Sequence, residues 1–98
     1  MVKHIVMFKL KGDDQTRREI ALRFKSALDA LPEQIDVLQS IETALNENPS
    51  EDWDIVLTAI VPTMADVATY ARHPAHVAAA GIIKDVKESR ACVDYEMP

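Results

Sequence analysis

Two of the three histidines in this chain, His73 and His76, stand three residues apart on either side of Pro74, and Tyr70 precedes them in the stretch YARHPAH. An imidazole titrates near neutrality and can take or release a proton at physiological pH. A phenol is a neutral donor that can bond an oxygen on which negative charge develops. The pair therefore suits proton transfer beside a carbonyl, with neutral His76 taking a proton from carbon while Tyr70 donates to the enolate oxygen. This chemistry needs no metal and no nucleotide, so no cofactor is expected. A metal held by His73 and His76 is disfavoured: Pro74 splays them, and no further histidine or cysteine lies nearby in sequence.

The elements that must position these groups follow from patterning. Val2 to Lys11 alternates and is rich in β-branched residues, which predicts a strand with Val2, His4, Val6, Phe8 and Leu10 on one face. Gly12-Asp13-Asp14 supplies a turn and a carboxylate cap. Ile20, Phe24, Ala27, Leu28 and Leu31 then recur at steps of three and four, the pattern of an amphipathic helix that Pro32 stops. Val37 to Asn46 and Trp53 to Val61 read as two further strands around the polar loop 47–52. Thr63 and Asp66 stand at capping-box spacing at the head of a second helix, with Met64, Val67, Tyr70 and Ala71 on its apolar stripe. Proline disfavours helical geometry in the residue before it and suits the first turn of a new helix. A break is therefore expected at His73, with His76 in the first turn beyond it. The continuation runs through Ile82, Ile83 and Val86 to about Lys87, and Ala91 to Glu96 forms the last strand. The order βαββαβ over residues 1–98 predicts one α+β domain, a ferredoxin-like four-stranded antiparallel sheet with two helices on one face.

The third strand is apolar on both faces, and Ile5 and Met7 lie opposite the His4 face of the first. Two helices on one side leave several large side chains bare, which predicts a homodimer closed by sheets packed face to face. On the helix-covered face, His4 is expected to meet Asp54, Tyr70 and His76. The alternation that puts Val56 and Ile60 on this side brings Asp54 with them. Val56 and Phe24 are expected to line the same pocket, where a small molecule would sit, and His73 to bond loose backbone at the helix break. Cys92 is expected to be a small apolar filler in a strand.

The formal net charge is −5. It repels a phosphate backbone and an anionic membrane surface, so neither is an expected partner. A single cysteine allows no internal disulfide, the apolar run at the N-terminus is broken by Lys3, His4 and Lys9, and a cytoplasmic protein is expected.

The opening VKHIVMFKLK, the motif YARHPAH and the closing ACVDYE together resemble the stress-responsive A/B barrel (Dabb) family, almost from end to end. The resemblance implies a ferredoxin-like protomer that pairs into a dimeric α+β barrel, and it attaches no single reaction. The motif is also similar to that of the cofactor-free plant polyketide cyclases of this family. That likeness implies catalytic roles for Tyr70 and His76, with His4 and His73 matching further histidines and Asp54 replacing another. The readings are therefore a binding or stress-protective protein with a pocket for a small apolar or carbonyl-containing molecule, or a cyclase-like lyase. A cofactor-free monooxygenase of the same architecture rests on fold analogy alone.

Overall fold

The computed structural model describes every residue from Met1 to Pro98. The alternating start of the chain forms strand β1 (Val2–Leu10), in which every second residue is buried, His4 among them. Helix α1 (Asp14–Asp29) opens at Asp13, whose carboxylate accepts the Thr16 N–H at 2.8 Å. It buries Ala21, Phe24 and Leu28 against the sheet, and a short 3-10 turn over Leu31–Glu33 takes up Pro32. Strands β2 (Ser40–Leu45) and β3 (Ile55–Val61) follow. Helix α2 (Met64–Arg72) begins with the Thr63–Asp66 capping box, and helix α3 (Pro74–Gly81) begins at Pro74. Strand β4 (Lys87–Glu96) completes an antiparallel sheet in the order β2-β3-β1-β4.

The second helix and its continuation differ from the sequence reading at both ends. Met64 is exposed rather than part of the buried stripe, and α3 stops at Gly81 instead of running to Lys87. Residues 82–86 instead form tight turns, with the Val86 N–H on the Ile83 carbonyl at 3.1 Å, because the chain must reach β1 there: Lys11 donates to Val86 at 2.7 Å. The last strand accordingly starts at Lys87 rather than Ala91. Its first four residues, Lys87 to Arg90, are exposed on the sheet edge and carry no apolar alternation to reveal them.

Register settles which face each strand residue takes. In β1–β3 pairing, His4 faces Ala59 and Val6 faces Leu57, whereas Met7 faces Val56 and Lys3 faces Ile60. Directly opposed residues share a face. The helix side is therefore Ile55, Leu57, Ala59 and Val61, all buried, with the Phe8 and Phe24 rings packed edge to face at 5.3 Å. Val56 and Ile60 belong to the opposite, uncovered face. There they join Ile5 and Met7, with Val93 and Tyr95 of β4 opposite Ile5 and Lys3. The apolar second face is thus present, and the assignment of Val56 to the pocket side is corrected.

Candidate binding site beneath the second and third helices

A cavity of about 360 Å³ lies between α1, α2 and α3 and the β1–β4 half of the sheet. His4, Phe24, Tyr70 and His76 all line it. Helical spacing brings Tyr70 inward from α2, and the break at Pro74 turns α3 so that the His76 ring lies 4.6 Å from that of Tyr70. The His4 ring meets Tyr70 edge-on at 5.8 Å. Apolar side chains form most of the remaining wall, among them Val6, Leu57, Val67 and Ile83.

Hydrogen bonds identify the proton on each ring. His76 Nδ1 lies 3.0 Å from the Ala71 carbonyl, which can only accept, so Nδ1 carries the hydrogen and Nε2 of the neutral ring keeps its lone pair. His4 Nδ1 lies 2.5 Å from Asp94 Oδ1 and donates to it in the same sense. Tyr70 differs from both. It is 1% exposed, and its hydroxyl has no hydrogen-bond partner in the protein.

Environment sets the charge states. Burial, opposed by Arg90, pushes the Tyr70 phenol far above its ordinary range, so it remains a donor. The Cys92 thiol is raised by burial and by Asp94, and it stays protonated at neutral pH. His76 is lowered from 6.5, first by burial and then by His4 and Arg90, against the Ala71 bond, which favours the charged ring. A lowered folded-state value means that the unfolded chain binds the extra proton first. Stability from this group is therefore present above 6.5 and is lost as pH falls through the folded value. Thermal melts should show the native protein losing stability between about pH 7 and about pH 5 more steeply than His76→Gln. Equal slopes would show that this ring is not held neutral.

Three of the expected site residues lie elsewhere. Asp54 precedes β3 and accepts from the Leu10 N–H at 2.7 Å and from Arg17 Nε at 3.2 Å, pinning α1 to the far end of β1. Six residues of extended strand, about 20 Å, separate Leu10 from His4. Val56 lies on the uncovered face. His73 caps α3, its Nδ1 accepting the Ala75 N–H at 3.0 Å, which is the backbone role expected of it.

The residues missed by sequence reasoning come from β4. Register sets Asp94 opposite His4, Cys92 opposite Val6 and Arg90 opposite Phe8, all on the cavity side. Cys92 is more than filler: its sulfur lies 3.6 Å from His4 Nδ1 and 3.7 Å from Asp94 Oδ2. His4, Cys92 and Asp94 together offer one nitrogen, one sulfur and one oxygen donor within 4.8 Å of one another, the group on this wall with the donor types to hold a cation. The alternation of Cys92 and Asp94 was the available signal, but it needed the β1–β4 register to acquire meaning.

Element order, antiparallel pairing and a one-sided helical layer make this a ferredoxin-like α+β protein with a pocket between helices and sheet. The family model of the stress-responsive A/B barrel domain matches residues 2–97, and the chain belongs to that family. A dimeric protein of unknown function from Bacteroides fragilis is 48% identical over 98% of this chain and 95% of its own, with a TM-score of 0.94. An antibiotic biosynthesis monooxygenase (13% identical, 100% and 99% covered, TM-score 0.80) and the hydroxynitrile lyase of Passiflora edulis (14% identical, 99% and 93% covered, TM-score 0.75) share the fold. Identities this low speak to the fold alone. Comparison with curated proteins finds no significant match. No helix is long and apolar enough to cross a membrane.

Proposed function

We propose that the chain works in the cytoplasm as a homodimer and holds a small, largely apolar, carbonyl-containing molecule in the cavity beneath α2 and α3. The Tyr70 hydroxyl carries this reading. A shielded hydroxyl without a partner costs about 1–3 kcal/mol, and a carbonyl oxygen that enters the cavity and displaces the side chains closing over the hydroxyl supplies the acceptor it lacks. Volume and lining agree, since 360 Å³ is within the range of small-molecule sites and such sites are mostly apolar with few polar groups. Dimerisation is supported by the apolar uncovered face and by the dimeric relative from Bacteroides fragilis.

Neutral His76 favours a second reading, catalysis. Its Nε2 lone pair can take a proton from carbon beside the carbonyl while Tyr70 donates to the oxygen, and return of the proton to carbon leaves the ketone intact. Such a step is the first half of an aldol-type lyase or cyclase reaction. Oxygen chemistry of the monooxygenase kind rests on fold analogy alone and is set aside.

Acetophenone and ethylbenzene separate the two readings, because they match in shape and only the ketone accepts a hydrogen bond. Binding predicts that acetophenone raises the melting temperature and ethylbenzene raises it less. Catalysis further predicts that in D2O the protein speeds exchange of the ketone's methyl hydrogens by about 10²–10⁴-fold, and that His76→Ala does not. Equal stabilisation by both compounds would count against the carbonyl site, and unaltered exchange would leave binding alone.

A further inference from the structure

The cavity wall has a charge order along β4 that the carbonyl site does not use. Successive helix-facing residues are Asp94, Cys92 and Arg90, opposite His4, Val6 and Phe8, with Lys87 beyond them opposite Leu10. Negative charge at one end is engaged by His4 at 2.5 Å. At the other end Arg90 and Lys87 both line the cavity, and neither takes part in any ion pair of the chain. Arg90 is also the one cationic side chain whose charge reaches Tyr70, His76 and Cys92 alike. In a chain of net charge −5, two unpaired cations thus share the rim of an apolar pocket whose only carboxylate is already satisfied.

A guanidinium fork matches the two oxygens of a carboxylate, and an ammonium beside it adds attraction without demanding geometry. Arg90 stands opposite Phe8, four strand positions, about 13 Å along the sheet, from Asp94, which faces His4. Its side chain lines the same cavity as Tyr70 and its charge reaches the phenol, so one small molecule can set a carbonyl at one and an acid at the other. We propose that the ligand of this cavity is a keto acid, its carbonyl oxygen at Tyr70 and its carboxylate held at the rim by Arg90 and Lys87. This rests on the reading above that the cavity takes a carbonyl compound.

The test compares 3-benzoylpropionate with its methyl ester by titration calorimetry at low ionic strength, in the native protein and in Arg90→Gln/Lys87→Gln. Both side chains are exposed, so the double variant keeps the core intact. The acid is expected to bind about tenfold or more tightly than the ester, with the preference shrinking as salt is added. In the double variant the preference disappears and ester affinity is unchanged. An ester that binds as well as the acid, or a preference that survives both substitutions, overturns the keto-acid assignment and leaves the carbonyl site standing. If neither compound binds, both fall together.

Discussion

Tyr70→Phe is expected to stabilise the free protein while weakening its function. Removing a shielded, unpartnered hydroxyl relieves its desolvation cost, so unfolding in urea should shift upward by about 1 kcal/mol or more. The ring stays in place against His4 and His76, and only the oxygen is lost. Ketone binding should weaken in the same variant. If the cavity is catalytic, exchange of carbon-bound hydrogen should slow by about 10²–10³-fold, the usual effect of deleting one donor to a developing oxyanion. Opposite signs for stability and function mark a group retained for a ligand. Destabilisation by Tyr70→Phe would mean that the hydroxyl already has a partner.

Ile5→Asp is expected to separate the dimer without unfolding the protomer. Ile5 lies in the middle of the uncovered face, between Thr58 of β3 and Val93 of β4, and points away from the helix-side core. Two-fold symmetry places the substitution twice in one interface. An unpaired carboxylate there must remain solvated or take on a cost of several kcal/mol, so dimer affinity should fall by roughly 10³-fold or more. Sedimentation at micromolar concentration should give a dimer for the native chain and a monomer for the variant, with unchanged far-ultraviolet circular dichroism. A native chain that sediments as a monomer would remove the face-to-face pairing.

Local chemistry made much of the architecture readable. The alternation of β1, the carboxylate cap at Asp13, the Thr63–Asp66 box and the break imposed by Pro74 each depend on residues within a few positions of one another, and each is present. Tyr70 and His76 come together for the same reason, one on each side of that break. What escaped depends on register. Strand β3 is apolar on both faces, so alternation could not say which face Val56 takes, and only its pairing with Met7 decides. Asp54 looked like a pocket residue by parity, yet it stands just before the start of β3 and is claimed by Leu10 and Arg17 at the far rim. Asp94 is a polar residue on an edge strand, a type that is usually solvated; its role follows from standing opposite His4, at a sequence separation of ninety residues.

The carbonyl resonance of acetophenone labelled with ¹³C at the carbonyl carbon, a neutral probe that does not depend on Arg90 or Lys87, reports directly on the Tyr70 hydroxyl. Hydrogen bonding to a carbonyl oxygen withdraws electron density from that carbon. The resonance should therefore lie further downfield in the complex with the native protein than in the complex with Tyr70→Phe, where the carbonyl leaves water without gaining that donor. A bound ketone whose resonance is the same in both proteins would show that the Tyr70 hydroxyl does not receive the carbonyl, and would contradict the function assigned to this cavity.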